Sequence, residues 1–396
     1  MPLRKQSLLF RSIKNKFHLA PQPTSITPRA AFIYTRTRFY TNPASEIPTL
    51  PPRVHPPRPL ISLPTTRHSS TMAPEESKPL SGVEAAKRKA AYRAVAEHFK
   101  SDMRFVGIGS GSTIVYGVEA IKEHLAENPP PQGHMNWFVP TGWNSRKVIE
   151  AAGLTPIAFD SLPGDALMEV CFDGADEVDE ELNCIKGGGA CLFQEKLVAC
   201  RSKKFVCIAG TYNSHLVPSH AHGLHSLTPM ALDYRKNQPR LLTNWPSIPI
   251  EVAPISHVSV LRDLKLLGSI DPQLREHTLA KAGPIQTDQS FYIIDAPFPK
   301  PLLNTLDTCP GDGTDGNWGI VRLAKRIKEI NGVLEVGIFC GENGYESQAR
   351  GAQGGQRPVA VYFGMEDGEV MVKRAEDLPK PRSERVALGK EEIMQK

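Results

Sequence analysis

The sequence has 396 residues, of which 40% are hydrophobic, and a formal net charge of +5. This length allows one large or two small domains. No apolar run approaches the roughly eighteen residues of a spanning helix, so we expect a soluble protein with no membrane partner.

The positive charge lies at the N-terminus. Residues 1–72 hold eleven Lys or Arg and one acid, a net +10, so the remaining residues carry 36 basic against 41 acidic groups, a net −5. An acidic folded part gives no indication of nucleic-acid binding. The segment itself is rich in Pro, Ser, Thr and Arg and lacks apolar periodicity, which predicts disorder.

Two origins explain this basic segment. Its poverty in acids is typical of a mitochondrial transit peptide. Alternatively, Met72 is the natural start, since it directly precedes the first predicted helix, and residues 1–71 are an upstream extension. We favour the extension, because no sustained amphipathic helix runs through the segment, and therefore expect a cytoplasmic protein, with a mitochondrial location as the alternative.

The next part of the chain, residues 78–248, alternates apolar strands and helical patterns. The elements are a helix at 82–99, a strand at 104–109 with its helix, a strand at 136–140, a helix at 144–152, a short apolar run at 156–159, a strand at 167–172, a helix at 190–200 and a strand at 203–209. Such βα alternation predicts a Rossmann-like α/β core, with a largely parallel sheet covered by helices on both faces.

After Pro249 the order changes to βαββαβ. The elements are a strand at 250–255, a helix at 259–268, strands at 283–288 and 291–297, a helix at 318–330 and a strand at 332–340. This order predicts a smaller ferredoxin-like α+β domain over 249–340, inserted before the last core strand. That strand is expected at 358–364, with the core ending at residue 375. Residues 341–357, with five glycines, are predicted to be a loop, and 376–396 a disordered tail.

One short stretch of the core combines carboxylates, a lysine and glycines. Asp173 and Asp176 follow a predicted strand, at the end where open parallel sheets bind ligands. Three glycines after Lys186 let backbone amides approach a ligand. Glu195 lies on a small, apolar face of the next helix, where a carboxylate is a candidate general base. Taken alone, the glycines also fit a flexible loop, and the acidic run 176–181 fits a solvated turn.

A second glycine-rich turn joins the strand at 104–109 to its helix. Ser112 or Thr113 stands near the helix start, where unpaired amides and the helix dipole attract anions. The turn has Ser112 where a dinucleotide fingerprint needs glycine, and no Gly-Lys-Ser/Thr follows. Hydroxyls and amides without a lysine suit a single phosphate group, and a tight turn without a ligand is the alternative.

Together the two stretches resemble the type A ribose-5-phosphate isomerases. The motifs of that family are G-x-G-[ST]-G-S-T, D-G-A-D-E, and K-G-G-G followed by a glutamate six residues after the last glycine. Here they stand at 107–113, at 173–177, and at 186–189 with Glu195, in the order and spacing of the family. Weaker matches extend the resemblance from residue 80 to residue 375.

This resemblance implies an aldose–ketose isomerase that interconverts D-ribose 5-phosphate and D-ribulose 5-phosphate through an ene-diolate, in the non-oxidative pentose phosphate pathway. It implies no cofactor and no metal. Glu195 matches the proton acceptor and Lys186 a cation that stabilises the ene-diolate. Asp173 and Asp176 match the carboxylates that hold sugar hydroxyls, one of which assists ring opening. The expected catalytic residues are Glu195, Asp173 and Lys186. The matching substrate-binding residues are Ser110, Gly111, Ser112, Thr113, Asp173, Gly174, Ala175, Asp176, Lys186, Gly187, Gly188, Gly189 and Lys236.

The resemblance also implies a phosphate-binding lysine in the first helix and an assembly of several copies. Lys87 is the better-aligned lysine, although Arg88 and Lys89 stand beside it. Relatives are dimers or tetramers, so we expect a homodimer or a homotetramer.

Two other functions occur within the same fold group. CoA-transferases use a glutamate as a nucleophile, but they lack the D-G-A-D and K-G-G-G pair at this spacing. Sugar-phosphate sensor domains bind without turnover, but they generally accompany a helix-turn-helix, which the Pro-rich residues 1–80 do not supply.

An additional segment, residues 210–232, interrupts the resemblance. Relatives follow a strand like KFVCIA directly with an Asp and, three residues later, a Lys that contacts the substrate. Removing these residues restores that spacing and brings Asp233 and Lys236 into the family positions. We interpret the segment as a translated retained intron. Its histidines, three of them within six positions (His220, His222 and His225), do not predict a metal site, because the segment has two prolines, no acids and no clear periodicity.

Cysteine usage predicts a reduced protein. The seven cysteines are Cys171, Cys184, Cys191, Cys200, Cys207, Cys309 and Cys340. Their number is odd and no C-x-x-C occurs, so neither a disulfide framework nor a zinc site is indicated. We expect mostly buried thiols.

Overall fold

The computed structural model describes residues 82–209, 236–276, 283–309, 311–365 and 367–379. All of them belong to one compact unit within Glu75–Lys396. The predictions for residues 1–72, 210–232 and Asp233 lie outside the described residues, as do those for most of the tail.

The described part of the chain contains seven α-helices and thirteen β-strands. The helices are α1 (Gly82–His98), α2 (Ile114–Glu127), α3 (Trp143–Ala151), α4 (Leu192–Cys200), α5 (His257–Leu266), α6 (Ile320–Lys328) and α7 (Gly344–Ala349). The strands are β1 (Phe105–Ile108), β2 (Trp137–Pro140), β3 (Val170–Asp173), β4 (Glu177–Val178), β5 (Cys184–Ile185), β6 (Phe205–Ala209), β7 (Ile248–Val252), β8 (Gln273–Leu274), β9 (Tyr292–Ala296), β10 (Val333–Val336), β11 (Ile338–Phe339), β12 (Ala360–Gly364) and β13 (Val370–Arg374).

The largest sheet has six strands in the order β13-β12-β6-β3-β1-β2. All neighbouring pairs are parallel except β12 and β13, which are antiparallel. The predicted α/β class with a largely parallel sheet is therefore confirmed. Strand β13 was not predicted as a strand, and it adds an antiparallel edge to the core.

Strand β6 illustrates why the core strands are unbroken apolar runs. Val206 and Ile208 pack in the same cluster as α1 and α2, whereas Phe205 and Cys207 pack on the other face with α4. Successive side chains of a strand point to opposite faces. Because helices cover both faces, every position must be apolar.

The strand order places a switch point at β1. Strand β1 has β2 on one side and β3 on the other, so the connections that leave the sheet there run in opposite directions. In open α/β sheets the crevice at such a point, outside the carboxyl ends of the strands, is where ligands bind. The turn at 109–113 and the carboxylate Asp173 both lie at this edge.

Two smaller sheets complete the fold. One has the order β10-β7-β9-β8, with every neighbouring pair antiparallel. Helices α5 and α6 pack against it through Val260, Leu264, Leu323 and Ile327. The other is the three-stranded sheet β11-β5-β4, whose β4–β5 hairpin carries the residues between Asp176 and Lys186.

Some predicted elements differ from the structure. Residues 283–288 were predicted as a strand but form only isolated bridges, Glu276 to Pro284 and Gln286 to Tyr292. Pro284 has no N–H for a ladder. Strand β9 instead pairs with β7 on one side and with β8 on the other, and β8 has only two residues and therefore no periodicity to recognise.

The loop and tail predictions also need correction. Helix α7 lies within the predicted loop 341–357 and is capped by Asn343, whose side chain accepts from the N–H groups of Tyr345 and Glu346. Glu376, the predicted first residue of the disordered tail, lies in a turn of 3-10 helix, so that boundary is wrong. Residues 380–396 are outside the described ranges.

Three of the four acids after Asp176 are buried, namely Glu177, Asp179 and Glu181, so the interpretation of the run as a solvated turn is wrong for them. Glu177 is 1% exposed and its carboxylate accepts N–H bonds from Leu242, Asn244 and Trp245. Asp179, in the turn between β4 and β5, is likewise buried, and its Oδ1 accepts the N–H groups of Glu181 and Asn183. Buried carboxylates need such donors because the interior does not solvate them.

Candidate active site

Three ionisable side chains meet at the carboxyl end of β3. Lys186 Nζ lies 2.8 Å from Asp173 Oδ2 and 3.3 Å from Glu195 Oε2. Ser110, in the turn after β1, donates a 2.8 Å hydrogen bond to Glu195 Oε1. The main sheet, α4 and the end of β5 thus bring together all three predicted catalytic residues and one residue of the predicted substrate loop.

This cluster is almost fully buried, with Asp173 1%, Lys186 3% and Glu195 4% exposed. Burial raises the pKa of Asp173 to about 7; Lys186 opposes this change, and the negative charge of Glu195 adds to it. Burial disfavours the charged form of Lys186, but Asp173 and Glu195 outweigh it and hold the pKa of the ammonium well above its ordinary value. Two carboxylates therefore share one cation.

Both carboxylates keep capacity to accept further hydrogen bonds. Asp173 Oδ2 and Glu195 Oε2 are buried and face the ammonium of Lys186, yet neither has a well-directed hydrogen bond among the described residues. Lys186 also donates to the carbonyl of Gly174 at 2.6 Å. The hydroxyls of a bound ligand would supply the missing donors.

A second group surrounds Asp176. The N–H of Gly188 donates to Asp176 Oδ2 at 2.8 Å, and Lys236 Nζ donates to the carbonyl of Ala175 at 2.7 Å. Burial raises the pKa of Asp176, with partial compensation from Lys236 and the Gly188 N–H. The structure thus brings Lys236, the first described residue after the segment 210–235, to the predicted carboxylates.

Glycine is required where the backbone approaches these carboxylates. An added Cβ at Gly109 would lie 1.9 Å from Asp173 Oδ1, and one at Gly188 would lie 2.8 Å from Asp176 Oδ1. Both distances are far below van der Waals contact, so no other residue fits without displacing the carboxylate. The two glycine motifs therefore serve close packing around Asp173 and Asp176.

The turn at 109–113 meets one basic residue of α1. Lys87, which is 1% exposed, reaches Ser112 Oγ at 3.5 Å and pairs with Glu84 at 2.7 Å. Arg88 instead pairs with Glu119, and Lys89 donates to the carbonyl of Gly368. Of the three candidates, the structure places only Lys87 against the turn.

Three residues that contact the site elements were not predicted from the sequence. Arg275 Nη1 donates to the carbonyls of Gly187 and Gly188 at 3.0 and 3.1 Å. Glu251 accepts the N–H of Phe193 at the start of α4, at 2.8 Å. Asp288 accepts the N–H of Trp143 at the start of α3, at 2.7 Å. Sequence patterns did not reveal these contacts, because the partners of each residue are distant in sequence.

The structure also bears on the cysteines, on metal binding and on membrane insertion. Each of the seven cysteines is a free thiol, and Cys171, Cys184, Cys207 and Cys340 are buried. In the part of the chain that the structure describes, no three His, Cys, Asp or Glu side chains are arranged to hold a metal ion. Within the same residues, no helix combines the length and apolar character of a membrane span.

Comparison with known sequences identifies the family. The family model of ribose 5-phosphate isomerase A (phosphoriboisomerase A) matches residues 137–219 and 228–346; residues 220–227, inside the predicted insertion, fall between the two parts. The ribose-5-phosphate isomerase of Mycosarcoma maydis is 42% identical over 309 residues, covering 78% of this chain and 87% of the relative. That of Schizosaccharomyces pombe is 38% identical over 306 residues, covering 76% and 87%.

Solved structures agree with this assignment. Ribose 5-phosphate isomerase A from Methanocaldococcus jannaschii matches with a TM-score of 0.52 at 25% identity, covering 74% of this chain and 99% of the relative. A D-ribose-5-phosphate isomerase in complex with phospho-erythronic acid matches with a TM-score of 0.53 at 26% identity, with the same coverage. This chain belongs to the ribose-5-phosphate isomerase A family.

Proposed function

We propose that this chain interconverts D-ribose 5-phosphate and D-ribulose 5-phosphate, with Glu195 transferring the proton between C2 and C1 through an ene-diolate. The reaction belongs to the non-oxidative pentose phosphate pathway. The observation that carries the proposal is the buried cluster of Glu195, Lys186 and Asp173 beside the helix-terminal turn at 109–113. The named activity of relatives up to 42% identical supports it.

Glu195 has the position that a single transferring base needs. It lies in the first turn of α4, and Ser110 holds its Oε1 atom. Oε2 is buried 3.3 Å from Lys186 Nζ and has no directed hydrogen bond among the described residues. A carboxylate with one oxygen held and one available takes the proton from C2 and returns it to C1.

Negative charge that develops on the ene-diolate oxygens needs fixed donors. Lys186 provides a buried ammonium whose high pKa keeps it charged. The amides of the glycine run 187–189 lie next to it. Because these groups are held in place before the reaction, they stabilise the charge without reorganising.

Asp173 has the properties of the group that assists ring opening. Its pKa of about 7 lets it hold or release a proton near neutral pH. Asp176 serves to bind sugar hydroxyls, since its carboxylate lies beside the Gly188 amide and Lys236.

The phosphate group is assigned to the turn that precedes α2. Residues Ser110 to Thr113 bring hydroxyls and the positive end of the helix to this place. Lys87 approaches the turn from α1, and Lys236 approaches the opposite carboxylates. The Lys87 ammonium and the helix terminus favour a doubly charged phosphate over a neutral sugar.

Further proposals concern organisation and context. The order β10-β7-β9-β8, with its helices α5 and α6, supports a ferredoxin-like arrangement for residues 249–340. The core then comprises residues 78–248 and 358–375. We also propose a cytoplasmic homodimer or homotetramer.

The test is an activity assay on the purified full chain with ribose 5-phosphate, without added metal or cofactor. We expect formation of ribulose 5-phosphate and exchange of the C2 hydrogen with solvent. Calorimetry should show much weaker binding of ribose than of ribose 5-phosphate. Binding of the phosphate ester without turnover would assign the chain to the sugar-phosphate sensors instead.

A further inference from the structure

Arg275, at the end of β8, connects the small sheet to the glycine run. It is 8% exposed. Its Nε and Nη2 atoms form a two-pronged ion pair with Asp295, at 2.7 and 2.5 Å. Its remaining nitrogen, Nη1, donates to the carbonyls of both Gly187 and Gly188, at 3.0 and 3.1 Å. Asp295 thus fixes the guanidinium, and the guanidinium fixes two successive peptide groups.

The orientation of these carbonyls determines where the amides point. In a trans peptide the C=O of one residue and the N–H of the next point in opposite directions. With the Gly187 carbonyl directed at Arg275, the N–H of Gly188 points away from it, and this N–H indeed reaches Asp176 Oδ2 at 2.8 Å. The side of the glycine run opposite Arg275 is therefore the side of the carboxylates.

The same geometry applies to the next amide. Because the Gly188 carbonyl is also held by Arg275, the N–H of Gly189 is directed away from the guanidinium. This N–H has no acceptor among the described residues. A Cβ added at Gly189 would meet no atom within 4 Å, so there is open space beside it. Gly189 is exposed, so this unpaired donor is accessible and is suited to a ligand oxygen.

We propose that Arg275 is a positioning residue for catalysis: it holds the glycine run so that the Gly188 amide binds Asp176 and the Gly189 amide faces the substrate oxygens on which negative charge develops. This inference rests on the proposed ene-diolate reaction. The small sheet then has a direct role in the active site, because β8 and β9 supply the Arg275–Asp295 pair.

An arginine is needed at this position for geometric reasons. Its planar guanidinium presents several N–H groups in a fixed fork, so it binds a carboxylate on one edge and carbonyls on another. A lysine is a single ammonium on a flexible stem and cannot hold both peptides in one plane. Arg275→Lys therefore keeps the charge opposite Asp295 but loses the orientation.

The experiment compares Arg275→Met and Arg275→Lys with the parent full chain. We expect kcat for ribose 5-phosphate to fall about 10- to 100-fold in both Arg275→Met and Arg275→Lys, because both lose the orientation, and this is less than outright removal of an oxyanion donor costs. KM should change little, because phosphate binding does not involve Arg275. The affinity for phospho-erythronic acid, whose carboxylate stands in for the ene-diolate oxygens, should fall together with kcat.

The matched control is Arg357→Met. Arg357 also donates to a backbone carbonyl, that of Glu181, and to a carboxylate, that of Glu346, but it has no contact with the glycine run. We expect this control to retain kcat. An equal loss of kcat in the control, or a folded Arg275 variant with kcat within twofold of the parent, would overturn the proposal.

Two further results keep the test decisive. If Arg275→Met does not fold, as judged by its melting transition, Arg275→Lys alone decides, since it keeps the ion pair with Asp295. If the parent chain itself shows no turnover, the proposed reaction fails, and this outcome is distinct from an active parent whose Arg275 variants are unaffected.

Discussion

The substitution Glu195→Gln tests the proposed proton transfer most directly. Glutamine has the same shape, and its amide oxygen still accepts the hydrogen bond from Ser110. Lys186 keeps its closer partner, Asp173, at 2.8 Å. The buried cluster changes from two carboxylates with one ammonium to one of each, so its net charge rises by one. The fold and ligand binding are therefore expected to persist.

The expected loss follows from the role of Glu195. A positioned general base contributes on the order of 10²–10⁴-fold to the rate, which is roughly 2.7–5.4 kcal/mol of the activation barrier. The substitution also removes a negative neighbour of Asp173. Because Glu195 helps to raise the pKa of Asp173, this pKa should move below its value of about 7 in the variant.

Two measurements separate chemistry from binding. The first is the initial rate of ribulose 5-phosphate formation, together with loss of deuterium from ribose 5-phosphate labelled at C2. The second is calorimetry of ribose 5-phosphate, for which we expect an affinity similar to that of the parent. The melting temperature of the variant controls for folding.

A clear result would refute the reasoning. If Glu195→Gln exchanged the C2 deuterium at a rate within twofold of the parent, Glu195 would not be the base. Loss of ribose 5-phosphate binding in a folded variant would instead make Glu195 a binding residue.

Three other predictions follow from the same site and its surroundings. Lys87→Met should raise KM for ribose 5-phosphate with little effect on kcat, because the ammonium of Lys87 lies near the turn that binds the phosphate and attracts its negative charge. An unchanged KM would show that Lys87 does not help to bind the phosphate. Burial raises the pKa of Asp173 above the ordinary carboxyl value, so the folded state binds the Asp173 proton more tightly than the unfolded state does, and the contribution of Asp173 to the free energy of unfolding decreases as pH rises from about 4 to about 7. In urea unfolding, Asp173→Asn should therefore show a weaker decrease in stability over that range, with a difference of at most about 1.4 kcal/mol for each step of one in pH. If the pH dependence of the variant equalled that of the parent, the pKa of Asp173 would not be raised. Deletion of residues 210–232 should leave kcat/KM at least as high as in the full chain. A variant with this deletion that folds but is inactive would show that the segment belongs to the enzyme. If all transcripts encoded these 23 residues, the segment would not be a retained intron.

Part of this protein could be predicted from local sequence patterns. The burial of β6 on both faces is visible in the run FVCIA, and the carboxylates at the end of β3 are visible because a strand precedes them. Parallel sheets bind ligands at that end for a geometric reason, so the site could be located without coordinates. The glycines at 109 and 188 are also explained by their neighbours in the structure, Asp173 and Asp176.

Contacts between distant residues could not be predicted in this way. Ser110 and Glu195 are 85 residues apart, and Arg275 and Gly187 are 88 residues apart. Nothing in the run around Arg275 distinguishes it from an exposed arginine. Its role depends on the order β10-β7-β9-β8, which carries β8 to the glycine run.

Burial and charge are the other properties that only the tertiary structure decided. From their place in an acidic run, Glu177 and Asp179 would be expected to be solvated. The sequence shows their charge but not the backbone N–H groups that bind Glu177 from residues distant in sequence. The pKa of Asp173 depends on the removal of water and on the charges of Lys186 and Glu195 beside it. By itself the sequence determined which chemical groups follow which strands, because that information is local. Packing determined which groups share a buried space, because that depends on contacts the chain makes only after it has folded.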